Sequence, residues 1–191
     1  MANKATDTSG EMQHPHSHQD SSLQSESASG LRIHNLYEPN TGSVQYIVAD
    51  ANSRMAIIID PVLDMDTATF SLSTKSADAL LSIIKTNKYQ IKYILETHAH
   101  ADHITAASYL QNRLTSIQGQ DQKPLIGIGK RIVLVQERFG QRYHLSQDQY
   151  QNVFDKLFDD DEELHVGSFK IKILNLPGHT PDHIGYKIEG E

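Results

Sequence analysis

The sequence predicts a layered α/β domain of the α+β type. Three observations carry that prediction. Short apolar runs of strand length recur along the chain. Segments with helical spacing of apolar residues are interleaved between them. A polar, serine-rich stretch precedes both and differs from them in composition.

Taken in order, residues Met1 to Gly30 hold seven Ser and only six apolar residues: Met1, Ala2, Ala5, Met12, Leu23 and Ala28. Such a segment buries too little surface to offset its ordering entropy, so 1–30 reads as a disordered polar tail. His14, His16 and His18 alternate within it and read as part of that tail. It has no apolar h-region and no Arg, and it carries Asp7, Glu11, Asp20 and Glu26, so it resembles neither a secretory signal nor a transit peptide. The domain proper is expected over 31–191. Arg32 to Tyr37 and Ser43 to Ala49 read as strands separated by the turn cluster Pro39-Asn40-Thr41-Gly42. Met55 to Ile59 is a continuous apolar run, typical of a buried strand, and Asp60-Pro61 stops it. Ser76 to Lys88 has Ala77, Leu80, Leu81 and Ile84 at helical spacing, with Ser76 as the expected N-cap. Ile91 to Leu95 is a further strand. A helix is expected over Ala101 to Leu114, a short strand over Leu125 to Ile128, and a helix over Lys130 to Phe139. Phe169 to Leu176 and Ile184 to Ile188 complete the strands.

Composition narrows the function. Of 191 residues, 17 are Lys or Arg and 24 are Asp or Glu, a formal charge of −7 that argues against a nucleic-acid binder. There is no Cys, which excludes disulfides, thiolate metal sites and Cys nucleophiles. No apolar run reaches the roughly 18 residues that a membrane span needs. The informative excess is His, with 11 residues. Of these, His34, His144 and His165 read as polar surface. The carboxylate run Asp159-Asp160-Asp161-Glu162-Glu163 reads as a solvated turn. The G-x-G of Gly127-Ile128-Gly129 is given no phosphate role.

The strong signal is Thr97-His98-Ala99-His100-Ala101-Asp102-His103, directly after a strand. It places four potential metal ligands, His98, His100, Asp102 and His103, within one loop. Imidazole and carboxylate ligands suit Zn, Fe or Mn, and the lack of thiolate argues against a structural zinc cage. Asp102 and His103 are expected where the chain turns into a helix. The second piece is Leu176-Pro177-Gly178-His179-Thr180-Pro181-Asp182-His183. Gly178 permits a tight turn and the prolines stiffen the loop, which puts His179 rigidly at a strand end. Thr180 is expected to orient it. Asp182 and His183 stay open, since a turn residue and a strand-start residue explain them adequately.

At these residues the sequence resembles the metallo-β-lactamase superfamily, whose hallmark is H-x-H-x-D-H followed later by G-H-T. The resemblance covers about Leu31 to Glu191. It implies an αββα sandwich with metal at one edge of the two sheets. Ile59-Asp60-Pro61-Val62-Leu63-Asp64 and the run from Thr97 to Thr105 are similar to segments of the persulfide dioxygenases. Thr105-Ala106 stand where glyoxalase II proteins carry Gly-Gly. The resemblance implies a single iron, Fe(2+), with Zn(2+) as the alternative. The His positions matching the iron ligands are His98 and His179. His100, Asp102 and His103 match positions that complete a dinuclear site in hydrolytic branches. The implied reaction oxidises glutathione persulfide with O2 to sulfite and glutathione. The alternatives are a glyoxalase II-like thioester hydrolase and a metal-binding fragment without turnover. The family's carboxylate ligand lies in a G-D-[ST]-L-F segment beyond G-H-T, and the sequence reaches only Glu191. The expectation is therefore a domain incomplete at its C-terminus. The tail suggests the cytoplasm, while members of the branch also occur in mitochondria.

Overall fold

The computed structural model describes residues 23–26 and 30–189. Its elements begin with strands β1 (Leu23–Glu26), β2 (Leu31–Glu38), β3 (Ser43–Asp50), β4 (Met55–Ile59), β5 (Val62–Met65) and β6 (Leu72–Ser73). Helix α1 (Lys75–Asn87), β7 (Gln90–Leu95), β8 (Ile104–Thr105), α2 (Ala107–Gln118), β9 (Leu125–Gly129) and α3 (Ile132–Tyr143) follow. The described part closes with β10 (Lys156–Phe158), β11 (Glu163–Val166), β12 (Phe169–Asn175) and β13 (Ile184–Glu189).

A seven-stranded sheet runs in the order β1-β2-β3-β4-β7-β9-β10. Its first half is an antiparallel meander. From β4 onward β7, β9 and β10 run parallel, each reached through one of the helices. Parallel neighbours need such crossovers, which cover a sheet face. Alternation along the strands sorts side chains to two sides. Ile47, Ala56, Ile58, Ile91 and Ile94 pack against Leu80 and Ile84 of α1 and Leu110 and Leu114 of α2. Val48, Ile57, Leu95 and Phe158 face the other way, onto Leu164, Phe169, Ile171, Ile173 and Ile184 of the antiparallel sheet β11-β12-β13. The layers are thus helices, long sheet and short sheet. Each wholly buried Ile or Leu contributes about 1.5–3 kcal/mol to holding them together.

One buried carboxylate also clasps the two sheets. Asp50, at the end of β3, accepts hydrogen bonds from the N–H of Asn52 (2.9 Å), the Ser53 hydroxyl (2.9 Å), and the N–H and hydroxyl of Ser168 (2.9 and 3.1 Å). Ser168 lies in the turn between β11 and β12. Burial by itself would raise the Asp50 pKa, but these bonds outweigh it and hold the carboxyl down at about 2.

Several sequence expectations need correction. The helix expected from Ala101 starts at Ala107. Residues Ile104–Thr105 instead form β8, pairing with Val62 and Leu63 of β5. Two β-branched residues suit a strand, and the Thr105 hydroxyl is drawn to the buried Glu96 carboxylate. Ser76 lies inside α1, which starts at Lys75. Its N–H and hydroxyl both bond the Asp64 carboxylate, at 2.9 and 2.7 Å. His34 is buried, not surface, and its Nε2 meets the Tyr89 hydroxyl at 2.9 Å. The acidic run, by contrast, lies in an exposed turn as read, and its carboxylates also pair: Asp159 with Lys130, Asp160 with Arg131, Asp161 with Lys172, Glu162 with Lys156 and Glu163 with Lys170. The sheet begins before Leu31, since β1 lies within the segment read as a tail and pairs with β2. The rest of that tail, with His14, His16 and His18, lies outside the described residues. Among the described residues no helix is long and apolar enough to cross a membrane.

Candidate metal centre

Four connections meet at one end of the layers. Parallel β4 and β7 finish side by side, Ile59 opposite Leu95, and deliver Asp60 and Glu96-Thr97-His98. The turn from β2 into β3 supplies Ser43. The β12–β13 loop supplies His179, and it is tied to the β7 loop where the Ile184 N–H donates to the Thr97 carbonyl at 2.9 Å. Gly178 in that loop has φ +148°, a conformation side chains disfavour. Gly129 lets β9 approach this region closely: a Cβ there would lie 2.7 Å from Ile184 Cγ2 and 3.2 Å from the Asp182 carbonyl.

The structure gathers His98, His100, Asp102, His103 and His179 around one cleft of 430 Å³, whose walls include Ser43, Val44 and Asp60. The His98 ring lies 4.1 Å from that of His100 and 4.7 Å from that of His179, centroid to centroid. The His100 and His103 rings are 4.1 Å apart. His183, left open by the sequence, brings its ring to 4.9 Å from His98. His100, Asp102 and His103 each offer a ligand atom within 4.8 Å of the other two.

The hydrogen bonds around the imidazoles fit a metal ion. Asp60 accepts from the Thr97 N–H (2.7 Å), the Thr97 hydroxyl (2.8 Å) and His100 Nε2–H (3.1 Å). An ionised carboxylate only accepts, so Thr97 spends its one hydroxyl proton on Asp60. The Thr97 oxygen must then accept from His98 Nδ1–H, 2.9 Å away. This pattern leaves the His98 Nε2 lone pair free. His100 uses Nε2 on Asp60 and turns Nδ1 toward Asp102, 3.9 Å away. His103 contacts Ser43 through Nδ1 at 3.0 Å, while its buried Nε2 has no partner among the described residues. Imidazoles anchored through one nitrogen and open at the other are the usual form of metal-ligating His.

Electrostatics follow from the same contacts. Burial, then the neighbouring His100 and His183, push His98 down to about 4. Burial alone would lower His100 too, but the bonds and charges of Asp60 and Glu96 push it up to about 10. Burial lifts Glu96 to about 7 against the pull of His100. Burial opposes ionisation of Glu38, but bonds from Thr41 and Asn40 outweigh it and hold the carboxyl below its usual range.

Residues 39–191 match the family described as Metallo-beta-lactamase superfamily. The chain belongs to this superfamily. It is 37% identical to "Glyoxylase B2" of Dictyostelium discoideum, over 81% of this chain and 51% of that protein. It is 25% identical to "Persulfide dioxygenase ETHE1, mitochondrial" of Mus musculus, over 89% of this chain and 53% of that protein. Among solved structures, ETHE1 from Myxococcus xanthus matches with a TM-score of 0.57 and 22% identity, over 82% of this chain and 53% of that one. That likeness shows the metallo-β-lactamase fold. The chain spans between about a third and a half of the length of the curated relatives it matches.

Membership implies metal binding and accounts for the two motifs. It leaves several tethers that sequence reading did not assign. Asp60 stood out as a strand-end Asp before Pro and within the Ile59–Asp64 run, with no partner assigned. Glu96 is almost wholly buried beside His100 Nε2, at 3.4 Å. Asp182 is buried and accepts the Ala99 N–H at 2.8 Å, pinning the loop between His98 and His100. The Tyr186 hydroxyl donates to the Glu96 carbonyl at 2.7 Å. Thr180 does not orient His179 as expected: its hydroxyl is buried with no partner among the described residues.

Proposed function

We propose that this superfamily domain serves a persulfide dioxygenase, with one iron held between His98 and His179. The observation that carries the reading is their meeting at 4.7 Å from two different sheets, with His98 Nε2 left open by Thr97 and Asp60. Asp60 belongs to the Ile59–Asp64 run that resembles the persulfide dioxygenases, and similarity to the mouse enzyme supports the same assignment. An iron held by His98 and His179 would supply open positions for O2 and a persulfide sulfur. The chain's own residues then orient and exclude. Asp60 fixes the His100 ring directly and the His98 ring through Thr97. Asp182 holds the loop between them. His100, Asp102 and His103 line the same cleft. The balanced reaction converts glutathione persulfide, O2 and water to glutathione, sulfite and two protons. The terminal sulfur is oxidised, O2 is reduced, and the sulfur–sulfur bond breaks.

A second reading is a glutathione thioester hydrolase. It is favoured by the convergence of His100, Asp102 and His103 within 4.8 Å, which suits a second metal, and by similarity to Glyoxylase B2. A pair of metals would activate water as the nucleophile. Oxygen uptake with glutathione persulfide, matched by sulfite, supports the first reading. Thioester hydrolysis without oxygen uptake replaces it with the second. Metal bound without either turnover leaves the metal-binding fragment.

A further inference from the structure

A second carboxylate reaches the centre through a chain of hydroxyls from the β2–β3 turn. Glu38 is 1% exposed, at the end of β2. It accepts the N–H groups of Asn40 (2.9 Å) and Thr41 (2.8 Å) and the Thr41 hydroxyl (2.6 Å). The Thr41 and Ser43 hydroxyl oxygens are 2.8 Å apart, and Ser43 Oγ is 3.0 Å from His103 Nδ1.

The directions of these bonds are forced. The ionised Glu38 carboxylate only accepts, so Thr41 gives it its single hydroxyl proton. The Thr41 oxygen can then only accept, so Ser43 donates to it. Ser43 has no proton left, and its oxygen must accept from His103 Nδ1–H. Asp102, 3.5 Å from the same nitrogen, pulls the same way. His103 therefore keeps its proton on Nδ1 and turns an Nε2 lone pair inward, where that buried atom has no partner among the described residues.

We propose that Glu38, Thr41 and Ser43 are positioning residues that set the His103 tautomer and present its Nε2 as a metal ligand. This rests on the second reading, in which His100, Asp102 and His103 hold a metal of their own, and extends it to three residues outside both motifs. Asp60 and Thr97 do the same for His98, so each end of the centre has a carboxylate and a threonine behind its imidazole.

The test uses the full chain. The His103 tautomer is read by long-range ¹H–¹⁵N correlation without metal, and zinc affinity is read by chelator competition. The parent should show Nδ1–H. Thr41→Val and Ser43→Ala should give mixed tautomers and bind zinc about tenfold more weakly, at the lower end of what outer-shell partners of metal-ligating His cost. Ser43→Thr, which keeps the hydroxyl, should restore both. An Nε2–H tautomer in the parent overturns the proposal. So do Thr41→Val and Ser43→Ala chains that keep the parent's tautomer and affinity while His103→Ala loses zinc. If His103→Ala binds zinc like the parent, the ligand assignment fails, and with it the role given to Nε2; the tautomer signal then separately decides whether the relay exists.

Discussion

Replacing Asp60 by Asn changes one oxygen to an NH2 group at nearly constant shape, and its consequence can be followed atom by atom. The oxygen at the Oδ1 position accepts from both the Thr97 N–H and His100 Nε2–H, at 2.7 and 3.1 Å. An NH2 there would face two donors, so the amide must keep its carbonyl at that position. Its NH2 group then faces the Thr97 hydroxyl, which can no longer donate to it. That hydroxyl turns to the other neighbour in reach, His98 Nδ1 at 2.9 Å. His98 is then driven to carry its proton on Nε2, the atom proposed to hold metal. Losing outer-shell support of this kind costs about 10–100-fold in metal affinity, or about 1.4–2.8 kcal/mol. Zinc competition measures it, with urea unfolding to show that the variant is folded. The effect should shrink in a Thr97→Val background, where the route to His98 is already cut. A folded Asp60→Asn chain that binds zinc within about twofold of the parent refutes the reasoning, since it shows that outer-shell support is not exerted here.

The other predictions use the same contacts. The Asp50 carboxyl is held at about 2 against an ordinary 3.8, so its contribution is complete above pH 4 and lost as pH falls through 2. It is worth about 2 kcal/mol. Between about pH 5 and pH 2 the parent should therefore lose about that much more unfolding free energy than Asp50→Asn; parallel profiles in urea unfolding would contradict the sheet clasp. His179→Ala should release metal while circular dichroism stays unchanged, because the residue sits on an exposed loop; unchanged metal content removes His179 from the site. His144→Ala should alter neither, since His144 is exposed in the left-handed residue that ends α3. Gly129→Ala should cost about 1–3 kcal/mol by crowding Ile184 and the Asp182 carbonyl. It should also weaken zinc binding by loosening the Asp182 hold on Ala99; a full-affinity variant with lowered Tm would separate the two effects.

What the sequence made legible was whatever is local. β3, β4, β7, β9, β12 and β13 announced themselves as apolar or alternating runs, and α1 by its spacing. β8 was hidden because Ile104–Thr105 is only two residues long. It is a strand because of Val62 and Leu63, some forty positions earlier in the chain. β11 reads ELHV behind an acidic run, and only its buried Leu164 and Val166 reveal the alternation. The two motifs displayed ligand chemistry, since residue type and spacing are written in one dimension. The groups that anchor those ligands are not. Asp60 lies 40 positions from His100, and Ser43 lies 60 from His103. Such partners are chosen by the sheet register that brings β3, β4 and β7 to a common end, and a single Ser or Asp in a strand-end loop carries no mark of that role. His34 illustrates the reverse error. A lone His on a strand reads as surface until Tyr89, 55 positions away, is found to satisfy it in the core.

The most direct test of the account is the metal content of the full chain after expression with iron and zinc both available. About one metal ion per chain is expected, predominantly iron, with its loss in His98→Ala and His179→Ala chains that remain folded. A folded parent chain that retains no metal, or one whose metal survives both substitutions, would contradict it.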